Sequence, residues 1–442
     1  MSAVQVKTIP RARPVIKELQ QWSYSLAKAS DLDPLVNLTG DCRVVALGEA
    51  SHGTSEYYTW RAAISKRLIQ EKGFNFIAVE GDWPDCYEVN RYIKGYQATT
   101  ISAAEVLKIF NRWPTWMWAN WEIASFIRWL HDYNKKVASI SQIGFYGLDV
   151  YSLWDSLSIV TNYLKKIDHK ALEAAYQAYQ CFEPYGSESH DYALSTVLST
   201  HNCEQEILTL LTELRKNEKL YQDDREGRFN AEQNALVAKN AEHYYRTSIH
   251  GGPESWNIRD RHMTETLTRL LDFYGPDSKA IVWEHNTHIG DARATDMKDD
   301  GMINVGQLVR EQYGSPNVAL VGFGSYEGSV IAGKSWDAPM EEMPVPRAQP
   351  HSWEDLMHQA FGEDQLLLLK PAREFQHLYI VRDHRAIGVV YNPRREFGNY
   401  VPTSLSERYD AFLYIDRTHA LKPLKLFPVH DRDLPETYPF GE

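Results

Sequence analysis

Short apolar runs alternate with longer stretches of helical periodicity along most of the chain. The first run, 42–47 (CRVVAL), closes on Gly-Glu-Ala-Ser-His-Gly; the second, 74–79, closes on Glu-Gly-Asp-Trp-Pro; the third, 143–148, closes on Asp149. Further runs lie at 280–283 and 318–322. A strand covered on both faces reads as an unbroken apolar run. Such runs separated by helical segments predict βαβ units and a mainly parallel sheet. Residues 1–40 read as a polar lead-in with an amphipathic segment at 15–26. A helix is expected from about residue 54 to 71, with Gly73 at its end.

Between residues 153 and 274 no strand pattern occurs. Helical spacing is clear in several pieces, for example Ile207, Leu210, Leu211 and Leu214, then Ala235 through Tyr245. The segment 153–274 therefore reads as an inserted all-helical subdomain that walls or covers a cleft, with 1–152 and 275–442 forming the α/β core. After a Pro-rich stretch at 339–350, runs at 377–381, 386–391 and 411–415 predict three further strands that extend or edge the sheet.

Composition narrows the partners. The 442 residues carry 47 Lys+Arg against 59 Asp+Glu, a net charge of -12. Phosphate binding needs clustered basic residues, so the balance excludes a non-specific nucleic-acid binder. It gives no electrostatic attraction to anionic membranes, and no apolar stretch is long enough to span a bilayer. The expected ligand is a small molecule, not a polyanion. The four cysteines (42, 86, 181 and 203) lack the C-x-x-C spacing of a zinc site and are expected to be reduced core thiols. The N-terminus has basic residues without an apolar h-region, so no secretory signal is expected and the protein is placed in the cytoplasm.

The informative residues sit where the runs end: Glu49 and His52 after the first, Glu80 after the second, Asp149 after the third, His285 and His288 after the fourth. Open α/β sheets bind ligands outside the carboxyl ends of their strands, so these groups are expected to share one site. Glu49 three residues before His52 suits a carboxylate that orients an imidazole acting as general base on water. Arg61 falls on the apolar stripe of Tyr57, Ile64 and Leu68. It either snorkels from the stripe's edge or turns inward to pair with Glu49 or Glu80. His285 and His288 admit two readings: donors to a developing oxyanion, or zinc ligands together with the carboxylates. Arg259 lies in a charge-rich segment that opens a helix, with Asn257 as its cap. Trp113, Trp116, Trp118 and Trp121 read as core, or as a cleft wall for a bulky ligand.

Other machinery is missing. Ser51 and Ser325 lack the G-x-S-x-G setting of a serine nucleophile, and no G-x-G-x-x-G follows a strand. Residues 328–335 (GSVIAGKS) spell a P-loop, but Trp-Asp-Ala-Pro follows at once, so no phosphate-holding helix can begin there. Activated water is the expected nucleophile.

The segments Gly48-Glu49-Ala50-Ser51-His52-Gly53, Glu80-Gly81-Asp82-Trp83, Asn257-x-Arg259-Asp260-x-x-Met263 and His285-Asn286-x-His288, taken in order, resemble the erythromycin esterase family over roughly residues 40–420. The resemblance implies a three-layer α/β/α core with a helical subdomain, and a cleft between them. It implies hydrolysis of a carboxylic ester, in the family's named members the lactone of 14-membered macrolide antibiotics. By the same match His52 is the general base, with Glu49, Arg61, Glu80, Arg259, His285 and His288 around it. No cofactor is expected. A divalent metal remains the alternative, as a metal-dependent hydrolase or a haem- or metal-binding protein of the same fold.

Overall fold

The computed structural model describes residues 12–97, 100–185, 189–198, 202–216 and 225–424; the first eleven residues of the expected lead-in lie outside them. The apolar runs form strands β1 (Ser23–Ser25), β2 (Val44–Leu47), β3 (Phe76–Asp82), β4 (Gly144–Asp149), β5 (Ala280–Trp283), β6 (Val318–Ala332), β7 (Glu341–Val345), β8 (Gln365–Leu368), β9 (Val381–Arg385), β10 (Tyr400–Ser404) and β11 (Ala411–Thr418). Nine join one sheet in the order β1-β8-β11-β6-β2-β5-β3-β4, with β7 attached to β6; β9 and β10 pair separately. The run from β11 to β4 is parallel throughout, while β1, β7 and β8 pair antiparallel.

Alternation along the strands builds a core on each face. Val45, Leu47, Ile77, Val79, Ile281, Trp283 and Val321 pack on one side. Val44, Ala46, Phe76, Ala78, Val282 and Leu320 pack on the other. Helices cover both faces, the three-layer arrangement that continuous apolar strands require. The helix Ser55–Lys72 buries Tyr57, Ile64 and Leu68 and ends at Gly73 in the left-handed region (φ 70°), as its stripe and terminal glycine predict.

Between β4 and β5 the described residues form the helices Leu153–Ile167, His169–Phe182, Ser189–Leu198, Glu204–Lys216, Arg225–Ser248 and Pro253–Tyr274. Several of them share a core of their own around Leu157, Leu210 and Ala238. Here one expectation fails. Cys181 and Cys203 form a disulfide, with Cα atoms 5.8 Å apart, and only Cys42 and Cys86 are free and buried. The pairing follows from the packing of helices His169–Phe182 and Glu204–Lys216, which spacing along the chain does not reveal.

Two local readings also change, and the expectation that the P-loop spelling opens no helix holds. Residues 376–379 form a short 3-10 turn, and the strand there begins at Val381. The run 386–391 makes only isolated bridges, Ile387 to Ser51 and Val390 to Gly333. The P-loop spelling falls largely on the far half of β6, which pairs with β7 from Gly328 to Ala332. It is a strand followed by a turn, with no phosphate-holding helix. No helix among the described residues is long and apolar enough to cross a membrane.

Candidate active site

The register aligns Leu47 with Trp283 and Trp283 with Val79, so the residues that follow leave the sheet along one edge. Between Val79 and Asp82 the pairing with β4 shifts. This bulge at Glu80–Gly81 locally re-aims the chain. Gly81 is required because a Cβ there would lie 2.9 Å from Trp118 Nε1, which donates to the Glu80 carbonyl at 3.0 Å. Gly53, after His52, answers a second close approach: a Cβ would meet the Ile331 carbonyl oxygen at 1.9 Å.

His52 is 7% exposed and lines a cleft enclosing about 1110 Å³, part of it open to solvent. Its Nδ1 is 3.0 Å from Glu49 Oε1. A carboxylate only accepts, so Nδ1 carries the proton and, in the neutral ring, Nε2 keeps its lone pair. The second Glu49 oxygen accepts from Arg61 Nη2 at 2.6 Å. Arg61 is fully buried, with its guanidinium over the rings of Tyr58 and Trp283 at 4.3 and 4.9 Å. The inward, paired reading of Arg61 is therefore the one observed. It does not line the cleft and acts through Glu49. Burial disfavours the His52 imidazolium, but the Glu80 charge and the Glu49 hydrogen bond outweigh it and raise the pKa above the usual histidine value.

Arg259 is the hub of the second half. Arg259 is buried, and the helix start expected around it is not where the helix begins. The helix begins at Pro253 after Gly252, so Asn257 is inside it and not its cap. Arg259 donates to Asp149 through Nε and Nη2 at 2.9 and 2.7 Å, to Glu80 Oε1 at 2.9 Å and to His288 Nε2 at 3.0 Å. His288 Nδ1 faces Asp260 at 2.9 Å, and its ring stacks on Trp256 with centroids 4.4 Å apart. Burial opposes the Glu80 charge, but His288, His52, Arg259 and the backbone N–H of His285 (2.8 Å) hold its carboxyl well below the ordinary range. Asp149 is likewise lowered against burial, chiefly by Arg259.

His285 sits beside His52, ring centroids 4.9 Å apart. Its Nδ1 accepts from the Thr287 backbone N–H at 3.3 Å, which places the ring proton on Nε2. That nitrogen is buried without a hydrogen bond. Burial, helped by the positive charge of His52, pushes the pKa well below the usual value, so His285 is a neutral N–H donor. Behind it, Glu284 is fully buried with neither carboxyl oxygen bonded. Burial, with Glu80 and Asp260 nearby, raises its pKa well above the normal range.

His52, Glu80, Arg259, His285 and His288 thus line one cleft, with Glu49 and Arg61 supporting from behind. Asp149, Asp260 and Trp256 complete the network. Asp149 was visible as a strand-end carboxylate, whereas the Asp260 and Trp256 contacts with His288 depend on which face of a helix meets the sheet. Trp113 and Trp118 line the cleft, Trp116 is core and Trp121 is 55% exposed. The failed strand at 386–391 supplies Gly388, Val389 and Val390 to the cleft lining. Among the described residues no three His, Cys, Asp or Glu side chains are grouped to hold a metal ion. Both nitrogens of His288 are engaged, one by a guanidinium.

The family model for erythromycin esterase matches residues 69–418; Glu49 and His52 precede that stretch. Erythromycin esterase type II of Escherichia coli is 27% identical over 335 residues, 68% of this chain and 73% of that protein. A putative hydrolase of Bacillus subtilis, YbfO, is 23% identical over 337 residues, 71% of this chain and 72% of that one. Among solved structures, a mutant of the erythromycin esterase EreC in its open conformation superposes with a TM-score of 0.65 at 17% identity, covering 92% of this chain and all of that one. The sheet edge, the ordered motifs and the matched length agree: the chain belongs to the erythromycin esterase family, whose members point to a hydrolase acting on small-molecule esters.

Proposed function

We propose that the protein cleaves a carboxylic ester, of the macrolide-type lactone class, by water activated at His52, with no covalent intermediate and no metal. The observation that carries this is the polarity of His52: Glu49 occupies Nδ1, leaving a basic Nε2 at the cleft. Water gives its proton to Nε2 as its oxygen attacks the carbonyl carbon. Glu80 and Glu49 stabilise the imidazolium that forms. The oxyanion is met by the Nε2–H of His285, within the field of Arg259. The imidazolium then returns its proton to the departing alkoxide. In support, the hydroxyl of Ser51 bonds Thr54 and that of Ser325 accepts from Tyr57, so neither is paired with a histidine as a serine nucleophile would be.

The aromatic lining of the cleft (Phe110, Trp113, Trp118, Trp256 and Trp336) suits a bulky apolar acyl or lactone body. The test is a screen of macrolides and simple esters with wild type and His52→Ala, each with and without chelator. General-base catalysis is worth about 10²–10⁴-fold, so the variant loses activity by that order while chelator leaves wild type unchanged. Equal turnover by folded His52→Ala defeats the mechanism; loss with chelator and recovery with zinc or manganese restores the metal-dependent alternative.

A further inference from the structure

The catalytic groups occupy one part of the cleft and leave a second polar wall unexplained. Asp82 ends β3 and Asp85 lies one turn into the helix Trp83–Ile93, and both line the cleft. Carboxylates at a helix start are ordinarily there to cap it, but Asp82, at the N-cap position, makes no capping bond with its side chain. Its Oδ2 is held by Arg112, whereas its Oδ1 is buried with no partner, in a side chain that is 9% exposed. Asp85 is half-buried and makes no hydrogen bond or ion pair among the described residues.

Arg112 hydrogen-bonds Asp82 and its charge eases both acidic groups, so on this wall one guanidinium stands against two carboxyls. The rest of its surroundings is aromatic and apolar: Phe110, Trp113, Met117, Trp118 and Tyr151 line the same space. An unpaired carboxylate beside aromatic rings in a poorly hydrated space is costly when empty. A ligand cation repays that cost twice, by pairing with the carboxylate and by lying against ring faces. Burial, with Asp149 and Asp155 nearby, pushes Asp82 up to about 6, and burial beside the Asp82 charge pushes Asp85 well above the carboxylate range.

We infer that Asp82, Asp85 and the aromatic side chains around them form a binding subsite for an alkylammonium substituent carried by the substrate. The inference rests on the esterase reading of the cleft and narrows its substrate class to esters or lactones bearing a basic amine. Asp82 supplies the unpartnered buried oxygen, Asp85 a carboxyl that ionises against the bound cation, and Arg112 holds Asp82 in place.

The test pairs choline butyrate with its carbon isostere, 3,3-dimethylbutyl butyrate, which differ in the charged nitrogen alone. The ratio of kcat/KM for the two esters is measured for wild type, Asp85→Asn and Asp85→Glu. Wild type is expected to favour the cationic ester by about tenfold or more. Asp85→Asn should bring the ratio near one through KM, and Asp85→Glu should restore most of it. A binding arm needs no turnover: benzyltrimethylammonium should quench cleft tryptophan fluorescence with an affinity that falls about tenfold in Asp85→Asn. Hydrolysis of both esters at equal kcat/KM, with quenching indifferent to the substitution, overturns the subsite and leaves the esterase reading standing. Hydrolysis of neither ester, with ammonium binding still weakened in Asp85→Asn, overturns the esterase reading and upholds the subsite. Hydrolysis of neither, with quenching unchanged, overturns both.

Discussion

Replacing Glu49 by Gln keeps the shape of the support behind His52 and removes its charge. Two effects follow from the geometry. Arg61, fully buried and paired to Glu49 at 2.6 Å, loses its only carboxylate partner among the described residues. Breaking a buried ion pair from one side costs about 3–5 kcal/mol, and the cation–π contacts with Tyr58 and Trp283 soften that toward the lower end. The second effect is chemical. A Gln amide can donate to His52 Nδ1, which moves the ring proton to Nε2 and removes the basic lone pair from the cleft. The comparable change in a serine protease triad costs about 10⁴-fold in kcat, so a loss of about 10²–10⁴-fold is expected at neutral pH. A negative charge at Glu49 raises the His52 pKa, so the remaining activity should have its acid limb at lower pH than wild type. The assay is kcat/KM against pH on a chromogenic ester, with thermal unfolding in parallel. A folded Glu49→Gln enzyme with near-wild-type kcat/KM and an unmoved acid limb would refute the orienting role.

Three further outcomes follow. His285→Ala should lower kcat by about 10²–10³-fold with little change in KM, because an oxyanion donor acts in the transition state; an effect confined to KM would assign His285 to ground-state binding. Reducing the Cys181–Cys203 bridge, whose cysteines are 22 residues apart, should cost about 3 kcal/mol in the chain-entropy treatment. Its mark is a melting temperature lowered by several degrees in wild type and insensitive to reductant in Cys181→Ser; identical melting with and without reductant counts against it. Glu80 and Asp149 have folded pKa values below their unfolded ones. The stability they contribute is complete above the ordinary carboxylate range and is lost as pH falls from there through their lower folded values. Denaturant midpoints between about pH 3 and 7 should fall more steeply with acid in wild type than in Glu80→Gln; parallel curves would contradict the assigned ionisation.

Much of the site was legible because it lies at strand ends, where apolar runs stop and polar residues start. Glu49, His52, Glu80, Asp149, His285 and His288 could be found that way without knowing the sheet order. Arg61 was half legible: the stripe placed it on the buried face, but only packing showed its guanidinium between two rings and a carboxylate. Arg259 was misjudged as helix start because the sequence signal of Asn257 outweighed the Gly252-Pro253 boundary. The disulfide, the Asp260 contact and the cleft wall at Gly388–Val390 were hidden for one reason. Each depends on how distant elements meet, and neither periodicity nor spacing encodes that.

The sheet order has a consequence for how such a site comes into being. Residues 44–47 lie between residues 280–283 and 318–321, so His52 and His285 become neighbours only after the intervening helices have been accommodated. Pairings this distant close late and slowly. A nascent or truncated chain would carry every motif yet have no competence, and activity should emerge abruptly with the last central pairing, not in proportion to structure already formed.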